Sequence, residues 1–456
     1  MKFNELMSKT QYVCQECGAS FPTWSGQCLV CGAWNSLVEE VIESGVSQSQ
    51  AKLSSVRLNE LLAHSQVKGQ RLSTGLAEFD RVLGGGLVDG GVMLLVGSPG
   101  VGKSTLLTQV ALALILSRSK FSVAYVAGEE SPSQIALRVK RVIENEQLKS
   151  SVKKPTSPKN ELERLEFVNC IQVERVVKHL KKTKPSLVIV DSVQTLISKQ
   201  LSGVAGSVGQ VRASAEKLIE FAKAESVPVF LVGHVTKEGR VAGPMTLEHM
   251  VDVVLDFSGD KNTNLRLLRA TKNRFGATDE VGVFQLDEVG FQTVANPSKL
   301  FTSHQDYEKV AGAVFACVVE GTRPMVVEVQ ALVTPSFLPT PRRVGRGVDS
   351  ARLQVLSAVL EKHLELPLGS HDIFVSIVGG YRTKEPALDL AIAAAIISSL
   401  NNKPMGKRVF VGEVGLLGEV RRVKLFGLRE REVTRLGYKD LISFKNLKNV
   451  CALTKL

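Results

Sequence analysis

The stretch "GVMLLVGSPGVGKSTLLTQVALAL" constrains the fold most, because an apolar run, a glycine-rich loop and a helical pattern follow one another there. Its motif Gly-x-x-x-x-Gly-Lys-Ser can surround phosphates with backbone N–H groups at the start of a helix. In such a loop the lysine reaches the β and γ phosphates and the serine hydroxyl coordinates Mg²⁺. We predict a nucleotide site with Lys103 and the Mg²⁺ ligand Ser104. The predicted loop residues are Gly97, Ser98, Pro99, Gly100, Val101, Gly102, Lys103, Ser104 and Thr105.

Further short apolar runs alternate with helical patterns around this loop, among them "SVAYVAG", "SLVIVDS" and "PVFLVGH". Such alternation predicts a parallel sheet flanked by helices, an α/β fold. A new pattern of strands and helices begins after "VANPS" and predicts an α+β domain. A polar Ser/Gln-rich stretch near the N-terminus is typical of a linker. The predicted divisions are 1–40 (cysteine cluster), 41–60 (linker), 61–295 (α/β core) and 296–456 (C-terminal domain).

Four cysteines near the N-terminus form two Cys-x-x-Cys pairs, each followed by glycine. Two such pairs supply a closed tetrahedral zinc site, and metal binding then provides the folding energy of a segment this short. Disulfides and redox pairs are the alternatives, and the pairing argues against both. We predict structural Zn²⁺ and expect Trp24 and Trp34 of the same block to serve in packing rather than base stacking. The predicted ligands are Cys14, Cys17, Cys28 and Cys31.

The charge balance favours a polyanionic partner such as nucleic acid, because 57 Lys and Arg residues face 45 Asp and Glu residues. The N-terminus lacks the apolar core of a signal peptide. The stretch "PALDLAIAAAIISSL" contains Asp389 and is too short to cross a bilayer. We therefore expect a cytoplasmic protein without a membrane partner. In a reducing compartment, Cys170, Cys317 and Cys451 are expected to be unpaired thiols.

Several other predicted strands end in polar residues. Hydrolysis of a nucleotide needs side chains that orient water and bind metal, and these residues are candidates for those roles. Asp191 fits the role of partner to Mg²⁺, although an Asp after a strand can also cap a helix. Glu129 and Glu130 end the "VAYVAG" run, and His234 ends "PVFLVG". One Glu is a candidate base and His234 a candidate sensor of the γ phosphate. Spacing alone leaves Glu129 and Glu130 equivalent, and all three residues could equally be capping or surface residues.

The stretch "NLRLLRATKNRF" predicts a strand that ends with two cations. Lys272 and Arg274 stand two positions apart, so on a strand they share a face. A solvated pair on a basic surface is the simple interpretation of such an arrangement.

These motifs occur in an order that resembles the bacterial RadA/Sms DNA repair ATPases over essentially the whole chain: the zinc knuckles, "GSPGVGKST", "AGEES", "VIVDS", "VGHVTKEG", "KNRFGAT" and "EGTRP". The resemblance implies a four-cysteine zinc finger, a RecA-like ATPase core and a C-terminal domain similar to that of Lon protease. It further implies a homo-hexameric, DNA-dependent ATPase that binds single-stranded and branched DNA. Such proteins use ATP to drive branch migration in recombinational repair, and a RecA-type recombinase is the expected partner.

The same resemblance assigns roles to individual residues. It favours Glu129 as the catalytic glutamate and His234 as the sensor. It implies that Lys272 and Arg274 act on the nucleotide of a neighbouring subunit, where they offset charge on the transferred phosphate. The motif residues are Lys272, Asn273, Arg274, Phe275 and Gly276.

Two Gly-rich stretches, "SKQLSGVAGSVGQVRAS" and "TKEGRVAGPMT", correspond to the DNA-facing loops of RecA-like motors. Their cations are candidate phosphate contacts, and ordinary basic loops are the alternative. The candidate residues are Lys199, Arg212, Lys237 and Arg240. An ATP-switched clamp without motor activity is the alternative function for the whole chain.

The C-terminal domain departs from Lon where the protease has its Ser-Lys dyad. Ala387 stands at the serine position and Arg429 at the lysine position. The dyad needs a hydroxyl and an amine whose pKa can fall, and arginine does not deprotonate. We therefore expect a scaffold for assembly or DNA binding rather than a protease. The stretch 149–161, "KSSVKKPTSPKNE", is expected to be a surface loop and is assigned no function.

Overall fold

A computed structural model describes residues 9–14, 16, 18–42, 71–144, 161–234, 246–259, 264–302, 310–438, 440–443 and 446–453. They belong to two compact units, the first ending at Thr293 and the second beginning at Val294. Of the predicted linker, Val41 and Ile42 belong to a strand, and the remainder lies outside the described residues. The stretch 149–161 also lies outside them except for Glu161.

The cysteine-rich part of the first unit is a small antiparallel sheet of order β2-β1-β3. Its strands are β1 (Lys9–Cys14), β2 (Ser20–Phe21) and β3 (Leu37–Ile42). The buried centre consists of Cys14, Cys28 and Leu37. Trp24 and Trp34 are 57% and 72% exposed, so the expectation that they serve in packing is wrong. A domain this short has too little interior to enclose two indole rings.

The rest of the first unit is built on a nine-stranded sheet of order β12-β11-β10-β9-β4-β8-β7-β5-β6. Its strands are β4 (Val92–Val96), β5 (Val123–Ala127), β6 (Leu165–Val168), β7 (Leu187–Asp191), β8 (Val229–Val232), β9 (Val253–Ser258), β10 (Leu265–Asn273), β11 (Val281–Asp287) and β12 (Gly290–Thr293). The strands from β9 to β6 are parallel, and β10 to β12 extend the sheet antiparallel. Every residue of β4, β5, β7 and β8 is buried, as a parallel sheet covered on both faces requires.

Helices cover both faces of this sheet. They are α1 (Ala77–Leu83), α2 (Lys103–Ser117), α3 (Pro132–Ile143), α4 (Val173–Thr183) and α5 (Val208–Glu225). Along β4, Met93 and Leu95 pack with residues of α1, α2 and α3, whereas Val92 and Leu94 pack with residues of α4 and α5. This alternation follows from the two-residue period of a strand. The prediction of a RecA-like α/β core is confirmed.

The second unit is α+β, as predicted, with a mixed sheet of order β15-β16-β14-β13-β17-β20. Its strands are β13 (Ala313–Glu320), β14 (Arg323–Pro335), β15 (Arg343–Arg346), β16 (His371–Ile377), β17 (Arg408–Phe410), β18 (Glu413–Val414), β19 (Val420–Arg421) and β20 (Asp440–Ile442). Its helices are α6 (Ser350–Leu364), α7 (Asp389–Leu400), α8 (Phe426–Arg435) and α9 (Lys448–Ala452). Strands β18 and β19 form a separate antiparallel pair. Helix α7 is buried along almost its whole length and contacts β13 and β14.

A buried ion pair in the second unit involves Arg429, one of the two residues that occupy the predicted dyad positions; the other is Ala387. Arg429 on α8 is buried, and its guanidinium donates to the Glu385 carboxylate and to the Cys317 carbonyl. The other Glu385 oxygen accepts from the Val319 N–H at 2.7 Å. Ala387 and Cys317 belong to the same buried cluster. Burial raises the pKa of the Cys317 thiol to about 12, so this thiol is neutral and a poor nucleophile at neutral pH.

Replacing Arg429 by methionine is expected to destabilise the chain by about 3 kcal/mol, because Glu385 would keep a buried charge without its cation. Arg431→Met on the same helix is the matched control, since Arg431 is exposed and should cost less than about 0.5 kcal/mol. Urea unfolding of both variants measures the difference. Equal unfolding midpoints would show that the pair contributes nothing to stability.

Candidate active site

The parallel sheet brings the predicted catalytic residues to one edge. Carboxyl ends of parallel strands meet at the same edge of such a sheet, which is where α/β proteins bind ligands. The glycine-rich loop follows β4, and Glu129 lies just after β5. Asp191 is the last residue of β7, and His234 lies two residues after β8. Residues from four separated parts of the chain therefore meet because the sheet is parallel.

Lys103 is the first residue of α2 and is held inside its own loop. Its Nζ donates to the carbonyl oxygens of Gly97 at 2.8 Å and Ser98 at 3.3 Å, and the residue is 4% exposed. Burial lowers the pKa of Lys103, although the carboxylates of Asp191 and Glu129 act in the opposite direction. At Gly102, where φ is 107°, a Cβ atom would lie 2.5 Å from the Phe291 ring, so the loop requires glycine there.

His234 connects Lys103 to Glu129. The Nδ1 atom of His234 lies 3.3 Å from Lys103 Nζ, and its Nε2 lies 3.3 Å from Glu129 Oε2. Because Lys103 is a donor, Nδ1 accepts and Nε2 carries the proton that faces Glu129. The other Glu129 oxygen accepts from the Ser192 hydroxyl. The His234 ring, whose Nε2 lies 3.3 Å away, and a hydrogen bond from the Ser192 hydroxyl hold the pKa of Glu129 below its usual value despite partial burial.

Glu130 has a different partner, although it adjoins Glu129 in the chain. Its carboxylate pairs with Arg138 on α3, whose side chain is 9% exposed. Glu129 instead faces Lys103 and His234 at the strand edge. The geometry therefore favours Glu129 as the base, a choice that spacing alone left open.

Asp191 is buried, and one of its oxygens accepts a hydrogen bond from the Tyr125 hydroxyl at 2.6 Å. Burial and the neighbouring Asp191 charge raise the pKa of Tyr125 well above its usual value, so Tyr125 is a neutral donor. Sequence reasoning missed both Tyr125 and Ser192. The available signals were a phenol within an aliphatic strand and a hydroxyl directly after Asp191.

The two cations of the "KNRFG" motif lie at the end of β10, and only Lys272 belongs to the strand. Strand β10 ends at Asn273, its register against β9 shifts between Ala270 and Lys272, and Arg274 lies beyond the strand. Both cations nevertheless contact one segment, 246–252. Lys272 Nζ donates to the carbonyls of Glu248 at 2.7 Å and His249 at 3.3 Å. Arg274 Nη1 lies 3.4 Å from Asp252 Oδ1.

This contact places Arg274 at the sheet edge opposite its own phosphate-binding loop. Arg274 N–H donates to the Asp252 carbonyl, and the Asp252 carboxylate accepts from the N–H of Val92, where β4 begins. The loop follows Val96, where β4 ends. At about 3.3 Å per residue, the strand separates the two ends by about 13 Å.

The remaining residues of the motif hold this turn against the core. The Asn273 amide donates to the Val82 carbonyl at 3.2 Å, and its oxygen accepts from Phe275 N–H at 2.9 Å. Phe275 packs against the core cluster of α1 and α2. A Cβ atom on Gly276 would lie 3.2 Å from Gly84, so the two chain segments approach closely. These three residues therefore position the turn that carries the cations.

The candidate DNA contacts fall into three environments. Lys199 is exposed at the start of the first Gly-rich stretch. The first Gly-rich loop is shorter than predicted, because α5 begins at Val208 and includes Arg212. Arg212 pairs with Glu216, one turn later, at 3.1 Å. Buried Val208 and Val211 and this i, i+4 pair favour helix over loop. Lys237 and Arg240 lie outside the described residues.

The cysteine geometry fits zinc. The sulfur atoms of Cys14, Cys28 and Cys31 all lie within 4.8 Å of one another, and the Cys14–Cys31 sulfur distance is 3.6 Å. Tetrahedral zinc with bonds of about 2.3 Å places its sulfur ligands about 3.8 Å apart. Gly18 N–H donates to the Cys14 carbonyl, and the equivalent bond runs from Gly32 to Cys28. Cys17, the fourth predicted ligand, lies outside the described residues.

Comparisons with known families agree with these two sites. A family described as "AAA domain" matches residues 59–240, and one described as "Rubredoxin metal binding domain" matches residues 12–39. The fold and its phosphate-binding loop define an ATP-hydrolysing enzyme with a RecA-like core, joined to a zinc ribbon. In the described residues, no helix has the length and apolar character needed to cross a membrane.

Proteins named DNA repair protein RadA match almost the whole chain. The relative from Pseudomonas aeruginosa is 45% identical, covering 95% of this chain and 92% of its own. Those from Bacillus subtilis and Aquifex aeolicus are each 42% identical, covering 95% and 97% of this chain and 92% and 94% of their own. The chain belongs to the RadA family of DNA repair proteins, and the predicted family is confirmed.

Replacing Glu129 by glutamine is expected to lower the rate of ATP hydrolysis at least about a hundredfold, because the carboxylate that can accept a proton from water is lost. Binding of ATP should persist, since Lys103 and the loop are unchanged. Glu130→Gln is the matched control and should retain near-normal turnover. Phosphate release and binding of a fluorescent ATP analogue measure both properties. A larger loss in Glu130→Gln would assign the base to Glu130.

Proposed function

We propose that this chain is a DNA-dependent ATPase that binds single-stranded and branched DNA and drives branch migration in recombinational repair. It acts as a homo-hexamer together with a RecA-type recombinase. ATP is the substrate, and Mg²⁺ neutralises phosphate charge when bound by Ser104 and Asp191. Lys103 holds the β and γ phosphates, Glu129 activates water, and His234 senses the γ phosphate. Membership of the RadA family, whose matched members are named as DNA repair proteins, supports a role in DNA repair.

The observation that carries the motor proposal is the direct connection between the ATP-facing residues and the two candidate DNA loops. His234 contacts both Lys103 and Glu129 and stands two residues before "TKEGRVAGPMT". Gln194, just before the first Gly-rich loop, donates to the His234 carbonyl at 3.4 Å. A shift of His234 upon loss of the γ phosphate would therefore be transmitted to both loops.

The position of the "KNRFG" cations supports assembly into a ring. Arg274 contacts Asp252, which is bound to the start of β4, and the length of β4, about 13 Å, separates that strand end from the phosphate-binding loop of the same subunit. Its side chain is 57% exposed, so a neighbouring subunit can present a phosphate to it. In a heterologous ring each subunit then supplies Lys272 and Arg274 to the next site.

We further propose that the C-terminal domain resembles the Lon protease domain but cuts no peptide bond. Ala387 offers no nucleophile. Arg429 is paired with Glu385, and a guanidinium cannot replace the amine base of a Ser-Lys dyad. The domain therefore serves as a scaffold for assembly or DNA binding.

An ATP-switched clamp is the second candidate, because the same site could control DNA binding alone. A strand-displacement assay distinguishes a motor from a clamp. In this assay a labelled strand is annealed to single-stranded DNA ahead of the bound protein. A motor should displace the strand with ATP in the wild type and not in Glu129→Gln. A clamp needs only ATP binding, so displacement by Glu129→Gln with ATP, or no displacement by an active wild-type ATPase, would favour the clamp.

Mixing two inactive variants tests the assignment of Arg274 to a neighbouring site. Lys103→Ala and Arg274→Ala should each lose about 10³-fold or more in turnover. In a 1:1 mixture, about a quarter of the ring junctions combine an intact lysine with an intact arginine from the neighbour. Activity should therefore rise above that of either variant alone.

Lys103→Ala mixed with Glu129→Gln is the matched control. Lys103 and Glu129 belong to the nucleotide site of one subunit, so every site in the mixed ring lacks one of them and activity should not return. Exchange of subunits is verified with fluorescent labels. If labelled subunits exchange and the mixture of Lys103→Ala with Arg274→Ala restores no ATP hydrolysis, Arg274 does not act in a neighbouring site.

A further inference from the structure

Asp252 is a buried carboxylate that the ATP site itself does not use. The residue is 5% exposed and lies just before β9. Its Oδ2 accepts from the Val92 N–H at 3.0 Å and from Lys223 Nζ at 2.6 Å. Its Oδ1 faces Arg274 Nη1 at 3.4 Å. One oxygen is therefore anchored to the scaffold, and the other faces a cation of the "KNRFG" motif.

A carboxylate in this environment requires such partners, because burial of an unpaired charge is costly. The Val92 N–H belongs to the central strand β4, so it anchors the carboxylate to a rigid part of the sheet. Lys223 is half exposed on α5 and contributes charge from solvent. Asp252 consequently stays in place while the more exposed Arg274 side chain is held against it.

The backbone reinforces this arrangement. The Arg274 N–H donates to the Asp252 carbonyl at 3.0 Å, so the side chain and the main chain of Arg274 are both tied to one residue. Within the described residues, the Asp252 contact uses Nη1, and the guanidinium Nε and Nη2 atoms have no protein partner. Those two nitrogens form one edge of the planar guanidinium, the edge that binds phosphate oxygens in a bidentate manner.

We propose that Asp252 is a positioning residue for the Arg274 finger: it fixes the guanidinium by Nη1 and leaves the Nε–Nη2 edge for the γ phosphate of the neighbouring subunit. The inference rests on the proposed action of Arg274 in a neighbouring site. It adds that the orientation of the finger is determined by a residue of its own subunit. Without this carboxylate, Arg274 would keep its charge and lose its preset orientation.

A purely structural role makes a different prediction. If Asp252 served only to hold the start of β4, its loss would damage the phosphate-binding loop of its own subunit. The two roles therefore concern different subunits at one junction. The mixing of Lys103→Ala with Arg274→Ala separates them, because the finger and the loop of each active junction come from different chains.

The experiment places Asp252→Asn on one chain at a time. Asparagine keeps the shape and can still accept from Val92 N–H, but it removes the charge. On the Lys103→Ala chain, which donates the finger, Asp252→Asn should lower the restored rate about tenfold, as expected for one lost charge-assisted hydrogen bond. On the Arg274→Ala chain, which supplies the loop, it should leave the restored rate and the affinity for an ATP analogue unchanged.

Lys223→Gln on the finger-donating chain is the comparison variant: it removes the other cation from the same carboxylate but keeps the Val92 N–H and Arg274 contacts, so it should lower the restored rate less than Asp252→Asn does. Should Asp252→Asn fail to assemble into rings, Asp252→Glu allows the same comparison of placement, because it moves the charge by one methylene. Ring assembly of each variant is measured before mixing.

The outcomes are distinguishable. A loss confined to the finger-donating chain supports the proposal. An unchanged rate from that placement, or an equal or larger loss when Asp252→Asn is on the loop-supplying chain, overturns it while the proposed function stands. If the parent mixture without Asp252→Asn restores no activity, the trans role of Arg274 fails, and this inference fails with it.

Discussion

Burial of the parallel sheet on both faces is the constraint on which the rest of the first unit depends. Because β4, β5, β7 and β8 are inaccessible along their whole length, chemistry can be placed only where these strands end. At the carboxyl edge the strand ends carry Lys103, Glu129, Asp191 and His234. The amino edge carries the contact of Arg274 with Asp252, whose carboxylate accepts from the N–H of Val92 at the start of β4. One sheet therefore separates the phosphate-binding residues from the finger residues of the same chain.

Charge balance at each edge determines how these residues are held. Lys103 is buried among carbonyl oxygens, which lowers its pKa, and the carboxylates of Asp191 and Glu129 oppose that effect. The Arg274 guanidinium is held by Asp252 through one nitrogen, Nη1, and the side chain remains half exposed. A buried lysine suits a permanent position in a loop, whereas an exposed arginine with one anchored nitrogen suits a partner that arrives from outside.

The second unit has a buried ion pair within its core. Arg429 and Glu385 fill the interior around Ala387 with an ion pair that depends on a complete set of partners. Such a pair is costly to break by removing one member, which favours retention of both. The core of this domain thus depends on both charges being present together.

The sequence alone determined the features that depend on neighbours in the chain. The loop from Gly97 to Ser104 needs a preceding strand and a following helix, and the cysteine pairs need only their two-residue spacing. The fully buried strands were likewise predicted from continuous apolar runs, since a strand buried on both faces has no polar alternation.

Only the tertiary structure decided the rest, because those contacts join residues far apart in the chain. The choice of Glu129 over Glu130 depends on His234, on a different strand. The length of the first Gly-rich loop depends on which residues of α5 are buried. The position of Arg274 depends on where β10 ends. Asp252 had no signal in the sequence, since an isolated aspartate acquires a role only when β9 pairs with β4 and brings Val92 within hydrogen-bond distance.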